Sequence, residues 1–315
     1  MGERITFGGY QPETSVHTKA VHCFADALAR ITDGAVTVDF TPNISDDGHQ
    51  AADLFDMVER DDIDGFYFSS SYLTARVPAL ILFDQHFAVP NRAQAYALLD
   101  GPVGQRMAEE VAANTGYIVF DYWDNGLRHI STSGTALTTP SDCVGLSLRT
   151  LPSPQHQRIF ASLGFDPQIV DVSALQNAVK TGRIDAQENP LTNTFNFGLH
   201  DTHRTITLTG HLLGVAMVMF NKSAVARWSP EVKAAVQDAL EEAGTLQRQL
   251  AQQEDARCME QMKKQGVTFV TLTEMERTAF ANATKKEVDA TRTALSGELV
   301  ALFESELTAQ HGEQL

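Results

Sequence analysis

The chain is poor in cysteine and in positive charge, and it lacks long apolar runs. Its three cysteines, Cys23, Cys143 and Cys258, are odd in number and far apart in 315 residues. That spacing excludes a disulfide framework or a CxxC metal site and reads as buried free thiols. Lysine and arginine number 24 against 40 acidic residues, giving a formal net charge of −16. Nucleic acid and anionic membrane surfaces would be repelled, so neither is expected as a partner. The longest apolar stretch, LLGVAMVMF, is far short of the roughly 18 residues a bilayer span needs. No GxSxG elbow, P-loop, dinucleotide glycine fingerprint or HExxH occurs, so no cofactor is expected. Among ten histidines only His200 and His203 stand at ligand spacing, with no third group to complete a metal set.

What is present is a globular composition, 43% hydrophobic, long enough for two domains with their own cores. The start, MGERITFGGY, has neither a basic stretch nor a hydrophobic signal region. It fits a cytoplasmic protein, or a mature form from which a signal peptide has been removed. Residues 5–9, 36–40 and 64–69 read as strands and 17–31 and 50–59 as helices, the alternation of an α/β fold. The third strand runs into Ser69, Ser70 and Ser71, where a loop can face a ligand. A helix over 100–113 precedes strands at 117–122, 127–131 and 146–149. Residues 154–163 and 173–181 come next as helices, with strands at 166–172, 206–208 and 215–221. From Pro230, after Ser229 as N-cap, a helical pattern continues to about residue 265, long enough to bridge domains. A strand at 267–272 and helix from 274 to about 307 complete the reading.

Two segments carry chemistry. GLSLRT ends a predicted strand with Arg149, and about 30 residues later TGRIDAQENPL presents Glu188 and Asn189. A buried arginine offers five donors in a rigid fork that fits a carboxylate, and an asparagine in a turn before proline can orient the same anion. The pair points to a small organic acid. VFDYWDNGLR adds Trp123, readable as core or as a ligand wall, and Arg128. His17 and His211 fall where α/β proteins bind ligands, and an ordinary surface or core histidine is the competing reading for each. The acidic pairs Asp46-Asp47 and Asp61-Asp62 read as solvated loops.

The segments GLSLRTLPSPQHQRIFASLGFDP, VKTGRIDAQENPLTN and ITLTGHLLG, continuing into FNKSAVARWSPEVKAAVQDA and preceded by SSYLTARVPAL, LLDGPVGQRM and DNGLRHISTS, resemble the DctP family of TRAP-transporter solute-binding proteins. The resemblance spans roughly residues 5–290 with order and spacing kept. It implies a two-domain, periplasmic-binding-protein-like clamshell with a long domain-bridging helix. The division implied is residues 1–125 plus 215–252 as the first domain and 126–214 plus 253–315 as the second. It further implies a ligand carboxylate on Arg149, a hydrogen bond from Asn189, a second cationic contact from Arg128, and Glu188 bracing an arginine. Walls at Trp123 and Phe87, and an opposing side near Gln11, His17, Ser69, Ser70 and Ser71, belong to the same picture. His211 is retained as a candidate.

The expected function is periplasmic capture of a small carboxylate, a hydroxy or sugar acid among the candidates, and delivery to TRAP membrane subunits. The chain itself is expected to be neither membrane-inserted nor an enzyme. The alternatives are an α/β enzyme anchored by Arg149 with His17 or His211 as acid or base, and a sensory ligand-binding protein. Departures from the family pattern fall at Val172, Ala174 and Gln176, where larger or acidic side chains are usual, at Ala186 in place of glycine, and in the loop FTPNISDDGHQ.

Overall fold

The computed structural model describes residues 3–89 and 91–312; the opening Met1-Gly2 lies outside the described residues. The strands are β1 (Glu3–Gly8), β2 (Val36–Thr41), β3 (Gly65–Ser69), β4 (Tyr117–Thr132), β5 (Ser147–Thr150), β6 (Asp166–Ile169), β7 (Ala186–Pro190), β8 (Thr205–Asn221) and β9 (Thr268–Thr271). Around them lie α1 (Val16–Ile31), α2 (Asp53–Glu59), α3 (Arg92–Asp100), α4 (Pro102–Asn114), α5 (Pro154–Ser162) and α6 (Val172–Lys180). The chain closes with α7 (Leu191–Asn196), α8 (Lys222–Arg227), α9 (Pro230–Lys264), α10 (Glu274–Thr293) and α11 (Gly297–Gly312). Serine caps start α1 and α9, the second where the sequence predicts it. Ser15 accepts the His17 amide at the head of α1, and Ser229 accepts the Val232 amide ahead of the proline that opens α9.

The sheet runs β2-β1-β3-β8-β4-β7-β5-β6, with β9 added alongside β8. Its spine is the antiparallel pair β4 and β8, of 16 and 17 residues. The first part of β4 pairs with the end of β8 (Tyr117 with Asn221, Trp123 with Ala216), and its second part with the start of β8 (Ile130 with Thr207, Thr132 with Thr205). The sequence reads each of these as two separate strands, because Gly126 and Gly214 interrupt the alternation. In the structure the strands run through, and the interruptions become register shifts between Asp124 and Leu127 and between Arg128 and Ile130. Gly126 sits at φ 88°, and a Cβ there would come within 2.4 Å of the Pro190 Cβ, so only glycine lets β4 pass β7 at this bulge.

One large core lies on the β1–β3 side, where Phe7, Phe24, Phe66, Met219 and Phe220 meet Ala239 and Leu240 of α9. Smaller cores lie on the β5–β7 side, one of them joining Leu191 and Ile206 to Cys258 and Met262 of α9. The 35-residue helix α9 therefore spans both halves of the fold. Leu299 and Phe303 of α11 pack into the first, larger core, whereas the sequence reading gives residues 253–315 to the second domain. Three short helices, α3, α7 and α8, escape the sequence reading; α7 and α8 have only six residues each, too short to display a 3.6-residue period.

A buried polar knot ties α1, β4 and α9. The Gln247 side chain accepts the Asp124 amide (2.9 Å), donates to the Asp124 carbonyl (2.7 Å), and stands 3.2 Å from His17 Nδ1. His17 Nε2 faces Asn125 Oδ1 at 3.1 Å. One turn earlier on α9, Gly244 leaves room for Asp121, whose carboxylate accepts the Tyr122 amide and the Trp123 indole N–H (2.8 Å). A Cβ on Gly244 would lie 2.3 Å from Asp121 Oδ2.

This packing makes two outcomes testable. Intrinsic propensity favours alanine over glycine within a helix by about 1 kcal/mol, yet Gly244→Ala will lower the thermal midpoint, because it displaces a carboxylate held by two hydrogen bonds; a rise would show that Asp121 yields freely. The second concerns acid. Burial pushes His17 and His203 down to about 4 and His129 to about 3, and raises Asp121 and Asp255 to about 6. Below the ordinary histidine range the unfolded chain takes up protons on these imidazoles while the folded chain does not, so stability is lost as pH falls from 6.5 toward 4. The two carboxylates act oppositely, adding stability as pH falls through 6, but they are outnumbered. Differential scanning fluorimetry will show a thermal midpoint several degrees lower at pH 5 than at pH 7.5.

Candidate functional site

Strand β7 runs between the two strands that carry the site arginines. On one side it pairs antiparallel with β4, setting Arg128 opposite Pro190 and His129 opposite Asn189. On the other it pairs parallel with β5, setting Arg149 opposite Gln187. Both arginines are 1% exposed. The sequence expects Asn189 in a turn; it lies instead in this strand, because Gln187-Glu188-Asn189 is needed to complete the ladder between β4 and β5.

The two guanidinium groups have different company. Arg128 Nε bonds the Glu188 carboxylate, and its Nη2 donates to Glu188 Oε1 at 2.7 Å, to the Glu188 carbonyl at 2.8 Å and to Asn189 Oδ1 at 3.3 Å. His211 Nε2 stands 3.3 Å from the same carboxylate. Burial acts to raise Glu188, but Arg128 and His211 together hold it well below the usual carboxylate range. Burial likewise keeps His211 down, so the trio carries a charged ion pair beside a neutral imidazole. Glu188 thus braces Arg128.

Arg149 has no acid. Its Nε donates to the Val170 carbonyl (2.9 Å) and its Nη2 to the Tyr72 hydroxyl (3.0 Å), and among the described residues no carboxylate lies within ion-pair distance of it. Tyr72 belongs to the short turn after β3, so this contact joins the two sides of the fold. Burial raises the Tyr72 phenol, which stays a neutral hydroxyl able to accept from the guanidinium. Asn189 is held from both ends: its oxygen accepts from Arg128, and its Nδ2 donates to Gln187 Oε1 (2.6 Å). Gln187 in turn donates to Ser131, which contacts His203.

The other candidates divide. Gln11 and Ser70 are buried with side-chain atoms, Nε2 and Oγ, that have no partner among the described residues. Ser69 ends β3 beside them. Their neighbour Tyr10 feels the charge of both Arg128 and Arg149. His17 is occupied at both ring nitrogens by Asn125 and Gln247, which removes the free nitrogen an acid or base needs. Trp123 stacks on His17 with planes 5° apart and bonds Asp121, inside the large core. Phe87, at φ 61°, lies beneath the Arg277 guanidinium and 6.5 Å from the His211 ring. Val172 and Gln176 line an open cleft of about 340 Å³ with Tyr10, Asn43 and Phe197. A hydrogen bond from Thr14 to Asn196 (3.3 Å) crosses near it. A larger hollow of about 630 Å³, between Asp100, Asp121 and Arg248, contains none of the candidate ligand residues.

Sequence reasoning misses Tyr72, Gln187, Asp84, His86 and His156. Tyr72 directly follows the serine run and Gln187 opens QENP, so both are within reach of the motifs. Asp84 and His86 are not, because their loop meets the site only in the folded chain, through the Ser71–Asp84 hydrogen bond and the packing of His86 on His156 and His211.

A family model for "bacterial extracellular solute-binding protein, family 7", DctP, matches residues 7–293. An uncharacterized protein, y4mM, of Sinorhizobium fredii is 31% identical over 92% of this chain, and the chain spans about half of it (53%). The 2,3-diketo-L-gulonate-binding periplasmic protein YiaO of Escherichia coli is 28% identical over 91% of this chain and 86% of its own length. Among solved structures, the sugar acid binding protein DctPAm of Advenella mimigardefordensis, in complex with galactonate, superposes with a TM-score of 0.93 at 22% identity over 98% of each chain. A TRAP periplasmic solute-binding protein of Sulfurospirillum deleyianum with bound succinate reaches 0.90 at 24% identity, over 96% of this chain and 99% of that one. These likenesses carry the two-domain fold, and no helix among the described residues is long and apolar enough to cross a membrane. With its model matched from Phe7 to Thr293, this chain belongs to family 7 of the bacterial extracellular solute-binding proteins, the DctP family.

Proposed function

We propose that the protein captures a small organic carboxylate on Arg149 in the periplasm and hands it to TRAP membrane subunits. The observation that carries this reading is the contrast between its two buried arginines. Removing a guanidinium from water costs several kcal/mol unless an anion accompanies it. Glu188 accompanies Arg128, and Arg149 has only two neutral oxygens, a carbonyl and a phenol. A solute carboxylate supplies the missing charge, and each charge-assisted hydrogen bond contributes about 1.5–3 kcal/mol. Micromolar capture needs about 8 kcal/mol in all, so the remainder comes from burying the solute as the halves close. Asn189, fixed by Arg128 and Gln187, keeps one amide hydrogen to offer the same anion.

The halves that close are residues 3–125 with 215 to about 252, and 126–214 with most of the chain beyond 252. The turning point in this reading is the bulged crossing of β4 and β8 around Asp124–Leu127, with α11 moving with the first half because Leu299 and Phe303 pack there. The Arg149–Tyr72 contact joins the two sides and is made only when they meet.

Isothermal titration calorimetry with a panel of organic acids tests this. Arg149→Ala will abolish measurable binding of whichever acid the native protein takes, while circular dichroism and thermal midpoint stay close to native; retained affinity removes the proposal. Glu188→Ala will behave differently. It leaves Arg128 buried without its counter-ion, and urea unfolding will show a loss of about 3–5 kcal/mol.

A further inference from the structure

The interior beside the two arginines holds a second group of polar side chains that the carboxylate contact does not use. Asp84, His86 and Gln155 are between 1% and 4% exposed, and Ser70, Ser153 and His156 are fully buried. Each has at least one polar atom with no hydrogen-bond partner among the described residues: Asp84 Oδ2, both nitrogens of His86 and of His156, Gln155 Oε1, and the hydroxyls of Ser70 and Ser153. His156 Nε2 comes within 3.2 Å of Asp84 Oδ2 but outside hydrogen-bonding geometry. Buried polar atoms are nearly always paired, so this many together in one region point to a solute that pairs them.

Their placement connects them to Arg149. Ser71 donates to Asp84 Oδ1 at 2.7 Å, and the next residue, Tyr72, accepts from Arg149 at 3.0 Å. Consecutive residues of one short turn therefore hold the carboxylate and the guanidinium. Ser153, Gln155 and His156 open α5 a few residues after Arg149, and Gln155 Nε2 donates to the Asp84 carbonyl at 3.4 Å. His86 packs between His156 and His211, with ring centroids 5.3 and 4.9 Å away, which brings the group to the edge of the Arg128–Glu188 pair.

The unused atoms of Asp84 and Gln155 are acceptors. The Gln155 amide is oriented by its bond to the Asp84 carbonyl, so its oxygen is the end left over. An acceptor pair requires O–H or N–H donors from its ligand, and a second carboxylate brought to the same place would meet like charge at Asp84. Hydroxyl groups fit better than an ammonium. A hydroxyl donates to Asp84 or Gln155 and accepts from a serine or an imidazole, whereas an ammonium can only donate.

We propose that Asp84, seconded by Gln155, is the specificity-determining group of this site, taking hydroxyl protons from the solute held by Arg149 and thereby selecting polyhydroxylated monocarboxylates over dicarboxylates. This rests on the Arg149 reading above and goes beyond it by naming the residues that choose the solute and the class they reject.

The test is calorimetry on the full chain with six-carbon acids matched in length: gluconate, galactonate, glucuronate and galacturonate against adipate and hexanoate. At least one of the hydroxylated acids will bind, roughly tenfold or more tighter than adipate or hexanoate. Asp84→Asn and Gln155→Ala will each narrow that ratio by about tenfold, and Asp84→Asn will do so partly by admitting adipate. Adipate or hexanoate binding as tightly as the best hydroxylated acid overturns the proposal, as does an unchanged ratio in both variants. These outcomes leave the anion reading standing as long as Arg149→Ala abolishes binding. Absence of binding by any acid, or binding that survives Arg149→Ala, overturns the anion reading itself. The native ratio and Gln155→Ala decide the matter if Asp84→Asn does not fold.

Discussion

Strand β7 places one carboxylate, Glu188, between strands that carry two buried guanidinium groups, and it neutralises only one of them. Arg128 takes it with a pair of hydrogen bonds to the carboxylate and a third to the backbone carbonyl of the same residue. The low effective dielectric that makes this pair strong also makes the second arginine costly, because no carboxylate among the described residues lies within ion-pair distance of Arg149. Arg149 is thus left with two neutral oxygens, the Val170 carbonyl and the Tyr72 hydroxyl, where Arg128 has a carboxylate. The rest of the site is arranged around these two groups: Asn189 is fixed by Arg128, Gln187 is fixed by Asn189, and Arg149 faces the turn that carries Ser70, Ser71 and Tyr72, where Ser71 holds the Asp84 carboxylate.

The surrounding architecture keeps that arrangement from relaxing. The strands β4 and β8 run through both halves of the sheet, so Arg128 is positioned by a ladder that begins in the first core and ends in the second. The bulge at Gly126 turns β4 just before Arg128, where the strand must clear Pro190. The helix α9 lies against both cores and reaches β4 through Gln247. His17 and Trp123, which look like ligand residues on the sequence, are absorbed into this bracing. Their polar atoms are satisfied by Asn125, Gln247 and Asp121, and this leaves the Arg128–Glu188–Asn189 side of β4 as the chemically open one.

Legibility in the sequence tracks the range of the interactions involved. The helix beginning at Pro230 is plain, because its N-cap, its proline and its long uninterrupted pattern are local signals. Arg149 at the end of an apolar strand is readable for the same reason. Asn189 reads as a turn residue because proline follows it. The strand wins because β4 and β5 both need a partner between them, a demand visible only in the assembled sheet. The broken patterns at 122–127 and 208–215 suggest strand ends for a related reason: glycines that serve as bulges look like terminators until the partner strand is present.

By itself, the sequence determined the α/β alternation, the long bridging helix, the acidic surface unsuited to nucleic acid, and the residue types of an anion site, Arg128, Arg149, Glu188 and Asn189. Each depends on side-chain chemistry or on periodicity along the chain. It did not determine which arginine is free. Both are buried on strands; only the register of β7 against β4, which gives Glu188 to Arg128, decides that Arg149 is left without an ion-pair partner among the described residues. Nor did it bring Asp84, His86 and His156 to that neighbourhood, because the contacts that carry them there join residues 13 to more than 70 positions apart, and no local pattern encodes contacts of that range.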